Sequence, residues 1–202
     1  MSGADVRSRL MVATANAGKL VEWRVLLRAF ALDVHSAADD DLLLPEENGA
    51  SYVANAAIKA VAGALATHGL AIGDDTGLCV PSLGGEPGLA TGPWAASCGG
   101  WPAAYEQLAA RTGVRERTVR ASLHCAVVLA DATGGDQGDR VLTWSSEAIV
   151  HGSLRWPPSR AAGPAAMFEP DTGVVVEHGV LIHRRLAFES IVPQLRQRLM
   201  RA

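Results

Sequence analysis

The chain has 202 residues and 49% hydrophobic content, enough for one large domain or two small lobes around a shared core. Its formal net charge of −3 excludes a global basic field of the kind that holds nucleic acid, so any bound phosphate depends on a few placed cations. The three cysteines, Cys79, Cys98 and Cys125, are widely spaced with no C-x-x-C pair. This argues against a zinc knuckle or disulfide framework and for a reducing, cytoplasmic setting, with Cys79 and Cys125 as buried thiols. No basic-then-apolar leader opens the sequence, and no apolar run reaches membrane-spanning length.

Residues 1–8 read as a loose leader to a single unit that fills the chain. Leu10 to Thr14 is a short apolar run that predicts a first strand, and Leu20, Trp23, Leu26, Leu27 and Phe30 recur at helical spacing after it. Between them lie Thr14, Asn16, Gly18 and Lys19. A small-residue turn into a helix offers backbone N–H groups and a mobile cation to an anion, although the G-x-x-x-x-G-K-[ST] spacing of a P-loop is absent; an ordinary strand-to-helix turn is the alternative. Ala31 to Val34 reads as a second strand, and Asp39 to Gly49 as an acidic loop. Ser51 then caps an alanine-rich helix to Thr67, which puts Asn55 and Lys59 on one face. A lone helix lysine ordinarily faces solvent.

The next stretch, Leu70 to Leu78, carries the most chemistry. An apolar strand runs into Asp74-Asp75 and a glycine turn at Gly77, delivering paired negative charge to a sheet edge. Such a pair can hold a divalent cation or take a proton from water, or it can be a solvated turn. Adjacent strand residues point to opposite faces, so the two aspartates have different roles. Leu78 to Val80 reads as a short paired strand and Leu83 to Gly88 as a glycine–proline loop. Tyr105, Leu108 and Ala109 suggest a modest helix ending at Gly113. Val119–Asp131 and Arg140–His151 read as a long hairpin turning at Gly134–Gly138. Val174–Val176 is an edge strand, and a closing helix starts at Arg184, with Pro193 a candidate kink. Helices alternating with strands, then a long hairpin, define a mixed α/β class with a cleft between two lobes.

Three stretches resemble one family, the inosine triphosphate pyrophosphatases, which act on non-standard purine nucleoside triphosphates. Ala13-Thr14-Ala15-Asn16-Ala17-Gly18-Lys19 is similar to the family's Thr-Gly-Asn-x-x-Lys opening, with Ala15 in place of glycine. Glu47-Asn48-Gly49-Ala50-Ser51-Tyr52 through Asn55-Ala56 and Lys59-Ala60 resembles Glu-x-Gly-x-(Thr/Ser)-(Phe/Tyr)-x-x-Asn-Ala-x-x-Lys-Ala. Asp74-Asp75-Thr76-Gly77-Leu78 with Leu83-Gly84-Gly85-Glu86-Pro87-Gly88 resembles the third motif, in order and spacing. His183-Arg184 looks like part of the family's Ser-His-Arg, with Ile182 where serine belongs.

The resemblance implies two lobes around a long, strongly twisted mixed sheet with a central cleft, a homodimer, and Mg²⁺-dependent cleavage of a nucleoside triphosphate to monophosphate and pyrophosphate. It makes Asp75, Lys19 and Lys59 catalytic. It places Thr14, Asn16, Lys19, Asn55, Lys59, Thr76, Gly77, His183 and Arg184 against substrate, and Glu47, Asp75 and Asp74 against the metal. The only lysines in the chain are Lys19 and Lys59, which fits dedicated use. Two departures stand out. Gly92-Pro93-Trp94 occupies the place of a family arginine, and residues 159–168 lack the Phe-Gly-(Tyr/Trp)-Asp-Pro segment that binds the base. They keep two alternatives open: a related hydrolase with a changed base preference, and a nucleotide-binding homologue without activity. His183 is accordingly either a base-side group or a surface histidine at a helix start.

Overall fold

A computed structural model describes residues 8–133, 140–161 and 163–200. Three strands come from the first part of the chain: β1 (Ser8–Val12), β2 (Leu32–Ser36) and β3 (Leu70–Cys79). β1 lies between the other two and parallel to both. The wholly apolar run in β4 (Val119–Asp131) is explained by its central place: it pairs antiparallel with β3 on one side over Ser122–Asp131 and with β5 (Leu142–Leu154) on the other along its full length. With β6 (Phe168–Pro170) the six strands take the order β2–β1–β3–β4–β5–β6. The expected mixed α/β architecture is the one observed.

Each face of the sheet is covered by helices suited to it. On one, α1 (Ala17–Leu27) and α5 (Ile182–Leu199) bring Trp23, Leu27, Phe188, Ile191 and Leu195 onto Leu10, Val12, Ile72 and Leu129. On the other, α2 (Tyr52–Thr67) packs Ala56, Ala60 and Ala64 against Met11, Ala71 and Ala126. Its alanines have a purpose, because the helix backbone lies directly on β3. A Cβ on Gly73 would stand 2.4 Å from the Ala56 carbonyl oxygen. A third core joins the far ends of β3–β5 to α4 (Trp101–Thr112) and residues 163–168.

The cleft arises from unequal strand lengths. β1 ends its pairing with β3 at Val12↔Ile72, whereas β3 continues to Cys79 beside β4. Beyond Ile72 the side of β3 that faced β1 is open, and side chains replace strand partners there. Thr91 Oγ1 accepts the Leu78 N–H at 2.9 Å, and Asp75 Oδ1 accepts the Thr76 N–H at 2.8 Å. This meets the need of buried backbone groups for partners without a strand.

Several expectations are corrected. Asp74 and Asp75 do not precede a turn. Gly77 and Leu78 continue one ten-residue strand, third in a six-strand order, and the carboxylates fall on an edge only because β1 stops short. Gly77 is glycine because a Cβ would meet the Gly88 carbonyl oxygen at 2.3 Å. β1 begins at Ser8 and ends at Val12, short of Thr14, and β2 starts one residue later than expected and runs on to Ser36. α4 begins at Trp101, with Pro102 in its first turn, and a short helix, α3 (Thr91–Ser97), precedes it unpredicted. β5 extends to Leu154. The expected edge strand at Val174–Val176 is instead β7 (Val176–Glu177), paired with β8 (Val180–Leu181) in a separate two-stranded sheet. α5 begins at Ile182 and runs through Pro193. Cys79 is only half-buried, with its Sγ 3.4 Å from the Tyr52 hydroxyl. Residues 1–7 of the leader and the turn at Gly134–Gly138 lie outside the described residues. Among those described, no helix is long and apolar enough to cross a membrane.

Candidate active site

Where β1 stops, the chain turns into α1 through Thr14 and Asn16. Asn16 is the N-cap: its Oδ1 accepts the Gly18 N–H at 2.9 Å and the Lys19 N–H at 3.2 Å, and its own N–H donates to Thr14 Oγ1 at 3.1 Å. Two of the helix N–H groups that the sequence suggested for an anion therefore already have a partner. The turn instead fixes where Lys19 leaves the helix.

The strand period separates the two aspartates. Asp74 points to the α1/α5 face. Its Oδ1 accepts the Trp23 Nε1–H at 2.9 Å, while Oδ2 lies 3.0 Å from Lys19 Nζ and 3.3 Å from Arg184 Nε. Arg184 Nη1 is in turn 2.5 Å from Glu22 Oε2, which also accepts the Leu181 N–H at 2.8 Å. Lys19, Asp74, Arg184 and Glu22 thus form a chain of alternating charge that starts on α1 and returns to it three residues on. Burial alone would raise the Asp74 pKa, but Lys19 and Arg184 outweigh it and hold the carboxyl well below the usual range. Burial would lower the Arg184 pKa, and Asp74 and Glu22 outweigh that, keeping the guanidinium charged. With both oxygens engaged, Asp74 stands behind the cleft and does not fit the role of metal ligand that the sequence suggested.

Asp75 points to the α2 face and into the cleft. Its Oδ2 accepts from Asn55 Nδ2 at 3.0 Å. Burial pushes its carboxyl upward, opposed by the Asn55 hydrogen bond and the Lys59 charge. Lys59, one turn beyond Asn55, is buried and its Nζ lies 2.6 Å from Glu47 Oε2, so the solvent-facing reading is excluded. The periodicity of α2 thus brings the acidic loop and the end of β3 together.

These groups line a cleft of about 580 Å³. Thr14, Asn16, Lys19, Glu22, Glu47, Asn55, Lys59, Asp75 and Thr76 form one side of it, His183 and Arg184 its back, and Leu89, Thr91–Pro93, Trp101 and Gly163–Pro164 the far wall. Gly77 is not on its surface. His183 is 1% exposed, which overturns the surface reading, and its Nδ1 has no hydrogen-bond partner among the described residues. Burial, with the Arg184 charge, pushes its pKa down to about 3, so the ring is neutral. The far wall is held by contacts distant in sequence. The Tyr105 hydroxyl donates to the Gly163 carbonyl at 2.9 Å and its ring stacks on Trp101 at 5.7 Å, while Gly163, at φ +59°, lies against the Trp101 indole. Sequence reasoning does not single out Trp101 or Glu22. Glu22 was accessible, because three residues from Lys19 on a helix places it on the same face.

The chain is similar to known proteins along most of its length. A dITP/XTP pyrophosphatase of Ruegeria pomeroyi is 35% identical over 198 residues, covering 91% of this chain and 93% of that protein. One from Zymomonas mobilis is 37% identical over 167 residues, covering 81% and 77%. The structure of a HAM1 protein from Coxiella burnetii superposes with a TM-score of 0.74 at 21% identity, over 94% of this chain and 99% of that one. Residues 10–173 match the Ham1 family model, and the chain belongs to the Ham1 family.

Proposed function

We propose that the protein hydrolyses a nucleoside triphosphate to the monophosphate and pyrophosphate with Mg²⁺, water attacking the α-phosphorus. The observation that carries this reading is the joint placement of Lys19, Lys59, Asp75 and Glu47 on one side of a single cleft. Negative charge grows on the phosphate oxygens as pyrophosphate leaves, and two fixed ammonium groups meet that charge without reorganisation. Asp75, with a carboxyl raised by burial, orients the attacking water and accepts its proton. Glu47 and Asp75 are oxygen donors of the kind a hard cation takes, and Mg²⁺ commonly uses one or two carboxylates with waters and phosphate oxygens. When bound there, the ion adds positive charge at the phosphate oxygens. Glu47 and Lys59 are each other's partners in this structure, so the acid and base that would engage metal and phosphate are already neutralised and held in place.

The relatives' names support a non-standard purine as the base. The far wall favours a second reading, a changed base preference. Pro93, Trp101, Gly163 and Pro164 form it, with no carboxylate among them to read a base edge. A panel of purine, pyrimidine and deaminated-purine triphosphates with Mg²⁺, monitored for pyrophosphate, tests both. Multiple turnover with inosine and xanthosine triphosphates ahead of the rest supports the first reading. A different ranking supports the second. Tight binding without turnover of any member would establish a non-catalytic homologue and remove both.

A further inference from the structure

Asn55 is 4% exposed and both ends of its amide are engaged. The side-chain oxygen accepts the Gly49 N–H at 2.7 Å, and the nitrogen donates to Asp75 Oδ2 at 3.0 Å. This orientation has no alternative. A main-chain N–H can only donate, so the atom facing Gly49 is the oxygen, and the nitrogen then faces Asp75. With the Thr76 N–H on Oδ1 at 2.8 Å, Asp75 receives one donor on each oxygen, which fixes the plane of its carboxylate. On the other side of the amide, Gly49 sits so close that a Cβ there would meet Asn55 Oδ1 and Ala54 Cβ at 2.7 Å. Gly49 follows Glu47 by two residues, and Glu47 is gripped by Lys59 one turn along α2. One helix face therefore holds two of the carboxylates that line the cleft, Asp75 through Asn55 and Glu47 through Lys59.

We infer that Asn55 is a positioning residue that ties Asp75 to the loop carrying Glu47, and not a ligand for the substrate. The inference deepens the proposed function, and its kinetic consequence rests on that reading. Its core is a joint between the loop and β3 that can be broken one half at a time. Asn55→Asp keeps an acceptor for the Gly49 N–H and replaces the amide donor to Asp75 with a second carboxyl group. Asn55→Ala removes both halves. Gly49→Ala prises the loop away without touching Asp75.

Amide exchange of Gly49 in ¹⁵N-labelled protein, read beside kcat and KM, tests this. Exchange at Gly49 is expected to accelerate in Asn55→Ala and to stay slow in Asn55→Asp. In both variants kcat is expected to fall by about 10–100-fold, the usual cost of losing a group that orients a site residue, with KM little changed. Gly49→Ala is expected to lower kcat in the native background and to add little to Asn55→Ala, because both act on one joint. A raised KM with unchanged kcat in Asn55→Asp would overturn the inference in favour of substrate contact, as would unaltered Gly49 exchange in Asn55→Ala. If the unmodified protein turned over no triphosphate, the proposed function alone would fall, and the Gly49 exchange result would still decide the joint.

Discussion

On one side of the cleft, Lys19, Asp75, Asn55, Lys59 and Glu47 are held by ion pairs and hydrogen bonds, with Asp74 behind them as the partner of Lys19. On the other, beside Pro93 and Pro164, Trp101 packs on Gly163, whose carbonyl takes one tyrosine hydrogen bond. The first side is a preorganised electrostatic device, in which each charge has a defined neighbour and small changes propagate. The second is a shaped surface. Preorganised charge suits a phosphate, whose chemistry is the same in every nucleotide, and a shaped surface suits the part of the substrate that varies. Substitutions on the two sides should therefore fail in different ways.

The largest effect is expected at Asp75. Asp75→Asn keeps the Thr76 N–H contact but removes the base and the charge, so kcat for pyrophosphate release should fall by about 10²–10⁴-fold. Its melting temperature should stay close to that of the native protein. Unchanged turnover would mean that the charged side does not do the chemistry. The neighbouring residue should show the reverse balance. Asp74 is buried between Lys19 and Arg184, and Asp74→Asn leaves both cations short of a partner. Urea unfolding should show a loss of about 3–5 kcal/mol, the usual cost of breaking a buried pair from one side. Two adjacent aspartates, one failing in activity and the other in stability, would express the strand alternation directly.

A smaller effect is expected from His183 at the back of the cleft. Its folded pKa is depressed to about 3 from an ordinary 6.5. Above pH 7 neither the folded nor the unfolded state carries the proton, so stability does not depend on this group. Below the unfolded pKa the unfolded chain takes up a proton that the buried ring refuses, and stability is lost progressively as pH falls from about 6.5 towards 3. Between pH 7 and pH 5 the loss should be roughly 2 kcal/mol. Asp74, whose carboxyl lies well below the usual range, adds its own acid loss only at lower pH. Denaturant midpoints at the two pH values, compared with those of His183→Gln, measure the term. An equal slope in both proteins would remove it.

The charged side was also the legible side. Thr14 to Lys19, Asn55 with Lys59, and Asp74 with Asp75 each lie within a short stretch whose helix or strand period shows which residues share a face. The opposite orientations of the two aspartates followed from the pleat alone. The continuation of β3 through Gly77 was not legible, because glycine reads as a turn unless the close approach of Gly88 and Tyr52 is known. The burial of Arg184 was hidden for a similar reason: its partners Asp74 and Glu22 lie more than a hundred residues away. The far wall was least legible of all. The whole β4–β5 hairpin lies in sequence between Trp101 and Gly163, and no local period records their contact.

That wall also gives the smallest expected effect, and the one that most sharpens the contrast. Trp101 supplies the one large apolar aromatic ring among the described residues that line the cleft, and it is braced by Tyr105 and Gly163. Trp101→Ala removes shape and apolar surface there without touching Lys19, Lys59 or Asp75. Losing a pocket contact of this kind is worth about 1–3 kcal/mol of discrimination between substrates. The ratio of kcat/KM between the preferred triphosphate and its nearest competitor should therefore move by roughly tenfold, mainly through KM, while kcat for the preferred triphosphate changes little. Trp101→Phe, which restores an aromatic face, should recover most of the ratio. If Trp101→Ala instead lowered kcat for every base alike, the far wall would belong to the catalytic apparatus, and the division of labour across the cleft would be wrong.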